Sequence, residues 1–269
     1  MNESDVLIND TNIKEYGLRL RPEHEHPSPE TSETTIDIPG QIGALPVKST
    51  TGVRTFSLPL GVIPQENKYQ LQRKIRAFTN VLFNEFGRTK KVKLQFGYEP
   101  DKFYMVKLNS TISPERLVKL GMFDLSFVAH DSRAYSNAKN TEITWGSKII
   151  TFEYDYLLGH KTHTDVDITN PQTLIYTVQG LAIKPTIEIS GSADSLSINT
   201  SNYAINLPSF YSEHWVIDCQ KYIVSRNGSN AFNDVKLREF QLMPGENPIE
   251  ITGSNIDVSM RLTYRDKWM

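Results

Sequence analysis

The densest grouping of side chains able to bind a metal or move a proton is HKTHTDVD, residues 160–167, with His160, His163, Asp165 and Asp167. Imidazoles and carboxylates in this number could hold a divalent cation and activate a water for hydrolysis. Histidines three apart share a face only on a helix, however. Here Gly159 precedes, and the β-branched Thr162, Thr164, Val166 and Ile168 alternate, so the run reads as a solvated loop entering a strand. No metal ligand is assigned, and a metal-dependent hydrolase using His160, His163 and Asp165 stays as a rival. His24 and His26 alternate in a Pro-rich stretch and carry still less signal. Cys219, the only cysteine, alternates with Ile217 and Trp215, which reads as a buried structural thiol and excludes an intrachain disulfide. There is no G-x-S-x-G elbow, HExxH motif or phosphate-binding loop, so no enzyme is expected and no catalytic residue or cofactor is assigned.

The elements around these residues are mostly strands. Phe56, Leu58 and Leu60; Val92, Leu94, Phe96 and Tyr98; Phe123, Leu125 and Phe127; and Ile150, Phe152, Tyr154 and Tyr156 each alternate with polar neighbours, the mark of half-buried β structure. The pattern continues through Pro185, Ile187 and Ile189, then Leu196 and Ile198, then Trp215 and Ile217. It ends in the most regular segment, Ile256, Val258, Met260, Leu262 and Tyr264, after a PGEN run (residues 244–247) expected to reverse the chain between two strands. RNGSN at 226–230 is a second turn signal. One stretch differs: Leu71, Ile75, Phe78, Leu82 and Phe86 recur at helical spacing, predicting an amphipathic helix over about residues 67–86 capped by Gly87.

The fold class is therefore mainly β with one α-helix. A chain of 269 residues with 38% hydrophobic content suits two domains, and the polar stretch SRAYSNAKNT (132–141) suggests units of 1–137 and 138–269. Lys and Arg number 29 against 31 Asp and Glu, a net charge of -2, which gives no basic face for holding nucleic acid. No secretory leader and no run of about 18 apolar residues is present, so no membrane insertion is expected. Residues 21–52 are rich in Pro, Ser, Thr and Glu and should be loop or extended edge. Ile36, Ile38, Ile42 and Leu45 within it have little local core to join, and are expected to form an oligomer interface. Trp145, Trp215, Trp268 and twelve tyrosines could offer sugar-stacking platforms, but their alternating positions favour core packing.

Three stretches carry a resemblance: LINDTNIKEYGLRL (7–20), GMFDLSFVAHDSRAYS (121–136), and KPTIEISGSADSLSI (184–198) followed by MPGENPIEITGS (243–254) and YRDKW (264–268). In this order the chain resembles the distal tail proteins of long, non-contractile-tailed bacteriophages. The resemblance implies an N-terminal β-sandwich, tail-tube-like and ring-forming, and a C-terminal galectin-like β-sandwich. It also implies a homo-hexameric, non-enzymatic hub at the phage tail tip, made in the bacterial host cytoplasm. Such a hub joins the tail tube protein and the tail-associated tip protein to receptor-binding or baseplate proteins, while DNA passes through its channel unbound. The middle stretch lacks the family's usual proline after Asp131, and no galectin H-x-N-x-R pattern followed by W-x-x-E is found, so the galectin likeness implies shape rather than sugar binding. A carbohydrate- or receptor-binding module acting directly on a host glycan is the alternative.

Overall fold

The computed structural model describes residues 5–111, 122–143, 147, 150, 154, 156, 165–235 and 237–269. Contacts divide the chain into two compact units, Met1–Ala134 with Met269, and Tyr135–Trp268. In the first, β1 (Val6–Ile8), β2 (Thr11–Asn12) and a 3-10 turn, Ile13–Tyr16, lead to β3 (Leu18–Leu20), β4 (Thr31–Asp37), β5 (Ala44–Thr51) and β6 (Arg54–Val62). Then come α1 (Lys68–Leu82), β7 (Lys91–Phe96), β8 (Glu99–Leu108) and β9 (Met122–Ala129). An antiparallel sheet runs in the order β2-β1-β7-β8-β9-β6-β3, while β4 and β5 pair only with each other. Alternation read from sequence becomes register here: Phe56, Leu58 and Leu60 on β6 face Phe127, Leu125 and Phe123 on β9, all buried.

Asn67 starts α1, its side-chain oxygen accepting from the backbone N–H groups of Tyr69 at 3.1 Å and Gln70 at 3.0 Å. Phe78 and Leu82 bury the apolar stripe, with Phe78 packed on Tyr16 at a ring separation of 5.7 Å. The helix is shorter than the spacing predicts, because it stops at Leu82 and Phe83 is extended. Asn84 is the reason: its side-chain oxygen accepts from the N–H groups of Phe86 and Arg88 at 3.1 and 2.9 Å, a local bond that competes with another helical turn. Gly87, at φ +71°, completes this turn instead of capping the helix, and Phe86 is left exposed.

The second unit follows β10 (Ala134–Ser136). It contains β11 (Val166–Ile168), β12 (Gln172–Val178), β13 (Thr186–Ala193), β14 (Ser195–Asn199), β15 (Ala204–Leu207), β16 (Phe210–Asp218) and β17 (Ile223–Arg226). β18 (Ser229–Asn230), α2 (Phe232–Val235), β19 (Gly245–Ser254), β20 (Asp257–Thr263) and β21 (Lys267–Trp268) complete it. Its sheets run β11-β20-β13-β16-β17-β18 and β12-β19-β14-β15. Ile187, Ile189, Trp215, Met260 and Leu262 of the first meet Tyr176, Ile198, Ile249 and Ile251 of the second in one core, which makes a β-sandwich. The regular final segment is a central strand, β20, hydrogen-bonded on both sides, with Val258, Met260 and Leu262 in the core. Gly253 permits the tight approach of β14, since a Cβ there would stand 2.0 Å from the Ser195 carbonyl oxygen.

Two expectations change. The PGEN run does not reverse the chain between two strands: Gly245 already opens β19, and Leu242 before it makes only an isolated bridge to Ile183. Asn247 shapes this entry, donating to the Met243 and Gly245 carbonyls at 2.7 and 2.9 Å and accepting from the Met243 N–H at 2.8 Å. The strand expected through Ile150, Phe152, Tyr154 and Tyr156 lies largely outside the described residues, and Ile150, Tyr154 and Tyr156 stand in no strand. The turn at 226–230 is as expected, with Asn227 and Gly228 at φ 50° and 81° between β17 and β18.

Candidate functional site

β-branched and aliphatic residues with a Gly-rich tip, Gly40 to Gly43, fold residues 31–51 into an antiparallel hairpin, β4 with β5. Ile36 pairs with Leu45 on one face, while Thr35, Glu33 and Asp37 mark the other. Every residue of both strands is exposed. Ile42, at the tip, is 103% exposed, and Ile36, Ile38, Leu45 and Val47 keep between 43% and 56% of their surface in water. A two-stranded ribbon with neither face covered is marginal alone, and five aliphatic side chains on it stand in water. The four residues picked from the sequence all lie on this hairpin. Val47 was missed, although it breaks the same polar run; it is the extra residue where the register shifts after Thr34.

The hairpin's root is tied down by His24 and His26, through contacts that their spacing in the sequence does not reveal. Backbone bonds from Arg21 N–H to Pro59 O (2.9 Å), Glu30 N–H to Val53 O (3.2 Å) and Gly52 N–H to Glu30 O (2.7 Å) fix the segment at both ends. Between them His24 stacks on Phe96 at 4.9 Å, and His26 meets Phe56 edge-on at 5.6 Å. His24 Nδ1 lies 3.3 Å from the Ser57 carbonyl oxygen and its Nε2 2.8 Å from the Tyr98 hydroxyl. His26 Nδ1 lies 2.8 Å from that same hydroxyl, and its Nε2 2.9 Å from the Tyr104 hydroxyl, which donates to Glu99 at 3.1 Å. Burial among the rings lowers both imidazoles below their ordinary range, opposed at His24 by the Ser57 carbonyl and at His26 by Glu99. Desolvation raises the Tyr98 and Tyr104 phenols, so both hydroxyls stay protonated. Arg54, 5% exposed at the start of β6, lies 5.2 Å over the Tyr104 ring, and its Nε and Nη1 have no hydrogen-bond partner among the described residues.

The remaining sequence candidates separate. His160 and His163 lie outside the described residues. Asp165 is held bidentately by Arg261, at 2.8 and 2.6 Å, and that guanidinium lowers its pKa. Cys219 is buried, and desolvation pushes its thiol up to about 12, which makes it an inert core group. Trp215 is wholly buried and offers no face to a sugar; Trp145 lies outside the described residues. An open cleft of about 330 Å³ on the second unit is lined by Lys139, Lys184, Arg265 and Lys267 with Glu188. Three of these cations are engaged from within the unit, Lys184 by Glu239 and the Tyr222 hydroxyl, Arg265 by the carbonyls of Ser136 and Asn137, and Lys267 over the Tyr135 ring at 5.5 Å.

Residues 11–129 match the family model of the phage tail protein RIFT-related domain, and residues 162–268 that of the siphovirus-type tail component, C-terminal domain. No curated protein matches. Among solved structures the fold is similar to the SPP1 Dit (gp 19.1) protein, described as a paradigm of the hub adsorption apparatus in phages infecting Gram-positive bacteria. The TM-score is 0.67 at 15% identity, over 98% of this chain and 99% of that one. A chain of the phage P2 baseplate in its activated, Ca-bound conformation is similar over 100% of both chains, with a TM-score of 0.53 and 11% identity. With one tail-protein model on each compact unit and in this order, the chain belongs to the siphophage distal tail protein family.

Proposed function

We propose that six copies of this chain close into a ring at the distal end of a phage tail, with the first unit making the contacts between copies. The ring continues the tail tube, passes DNA without binding it, and offers the second unit's sandwich to tip, baseplate or receptor-binding proteins. It carries out no reaction. The observation behind this reading is the uncovered hairpin: Ile36, Ile38, Ile42 and Leu45 stand in water on a ribbon that needs a covering surface. A neighbouring copy satisfies that need head-to-tail, and head-to-tail contacts that close make a ring. A net charge of -2 suits a channel that must not grip phosphates.

Light scattering on the purified chain tests the assembly, with a mass six times the chain's 30.7 kDa expected. A monomer at all concentrations that binds isolated host glycans would instead favour a sugar-binding module. Duplex DNA should not associate with the ring even at low salt, where phosphate attraction is greatest.

A further inference from the structure

Five contacts in the hairpin's root connect two pure acceptors. From the Ser57 carbonyl the chain runs through His24, Tyr98, His26 and Tyr104 to the Glu99 carboxylate, at 3.3, 2.8, 2.8, 2.9 and 3.1 Å. Each contact needs one proton between its heavy atoms. Neutral imidazoles and phenols supply one each, and neither terminal oxygen supplies any. Four protons cannot fill five contacts, so one contact is empty while both histidines are neutral. The carboxylate fixes which. Tyr104 donates to Glu99, His26 carries its proton on Nε2, Tyr98 donates to His26 Nδ1, and His24 carries its proton on Nε2. The bare contact falls between His24 Nδ1 and Ser57, the longest of the five.

A fifth proton fills that gap but makes His24 an imidazolium where the ring is desolvated, with Glu25 on its own segment attracting it. A sixth proton charges His26, which Arg54 on β6, Lys102 on β8 and the charged His24 repel and Glu99 attracts, Lys102 being itself paired with Glu99 at 3.1 Å and Asp101 at 3.5 Å. The Tyr98 oxygen then accepts from both rings, and its hydrogen, no longer donated to His26, turns to solvent. We propose that this chain is an acid-sensitive latch, which holds residues 22–30 on the sheet while both imidazoles are neutral and releases the hairpin's root when both are charged. The lowered affinity of both imidazoles agrees in sign. An unfolded root takes up protons near the ordinary histidine pKa and a latched one only below it, so the latch is strongest above that value and weakens as pH falls through it. The consequence for ring assembly rests on the hairpin being the contact between copies; the latch itself does not.

Hydrogen exchange on the full chain at about pH 7.5 and about pH 5, corrected for intrinsic rates, reads the latch directly; amides of residues 22–37 should exchange about tenfold faster in acid. Those of β12 and β19 in the second unit should be unchanged, which separates release from unfolding. Tyr98→Phe removes the central hydroxyl and should give fast exchange at both pH values. The double variant His24→Gln, His26→Gln cannot charge and should lose the pH dependence. Equal protection of residues 22–37 at both pH values in the parent chain, or full protection in Tyr98→Phe, overturns the proposal. Root exchange that rises in acid while the mass by light scattering stays constant keeps the latch and removes the hairpin from the ring contact.

Discussion

Replacing Ile42 by Asp is the cleanest perturbation of the proposed ring. Ile42 is 103% exposed at the hairpin tip, so the single chain has no packing at this position to lose. Buried by a neighbouring copy, its side chain would contribute about 2 kcal/mol from apolar surface removed from water. Aspartate forfeits that and brings a carboxylate whose burial costs about 1–3 kcal/mol more, even where a partner group relieves part of the penalty. The sum, about 3–5 kcal/mol per contact, is about 100- to 1,000-fold or more in each dissociation constant. Every copy in a ring carries the substitution, so all the contacts weaken together. Ile42→Val keeps most of the surface and should cost about 1 kcal/mol or less, about fivefold. Sedimentation or light scattering across a dilution series should show Ile42→Asp monomeric where the parent is a ring, with an unchanged thermal midpoint for the dissociated chain. Assembly of Ile42→Asp at the parent's concentrations would refute the hairpin contact, whatever the mass of the parent.

Asp266, 6% exposed, accepts from the Gln179 N–H at 2.8 Å, yet burial raises its carboxyl to about 6. Its folded pKa lies above its unfolded one, so stability falls as pH rises between about 4 and 6; Asp266→Asn should flatten this dependence and add about 1–2 kcal/mol at neutral pH by calorimetry. Gly253→Ala would drive a Cβ to 2.0 Å from the Ser195 oxygen at φ +155° and should cost more than about 2 kcal/mol in denaturant titration; a neutral result would mean the β14–β19 contact is looser than drawn. Arg54→Met removes two buried guanidinium nitrogens that have no hydrogen-bond partner among the described residues, and should leave stability equal or about 1 kcal/mol higher. By NMR it should also raise the pH at which His26 charges, and an unmoved titration would contradict the repulsion assigned to Arg54.

Periodicity made the sheets legible because a strand's burial pattern is a local record of which face meets the core. Val258, Met260 and Leu262 could be assigned from sequence spacing alone, and so could Phe56 with Phe127 as members of buried faces. Local competition was harder to see: Leu82 and Phe86 fit one helical stripe, but Asn84 between them draws the backbone into its own turn. Polarity left the hairpin between loop and extended edge, because Thr, Ser and Glu fit both, and only the pairing of Thr31–Asp37 with Ala44–Thr51 around the bulge at Val47 decides it. The histidine chain was not legible at all. His24 and His26 meet Tyr98 and Tyr104 across more than seventy residues of sequence, and no spacing rule spans that distance.

The exposed hairpin and its anchored root make sense as parts of one solution. A free ribbon of this length would lose much backbone freedom when a neighbour covered it, and that loss would offset most of the apolar surface its five aliphatic side chains could bury. The structure meets part of the loss in advance. The paired positions lie farther apart along the chain from Thr35 with Pro46 outward to Thr31 with Thr51, yet the root is clamped by Glu30, Gly52 and Val53 and stacked through His24 onto Phe96. What remains to be ordered on docking is then mainly side chains at the tip, which cost about 0.5–1.5 kcal/mol each instead of the backbone as a whole. On this argument the histidine latch governs affinity without touching the partner: releasing it restores the freedom of the ribbon, and the same five side chains no longer suffice.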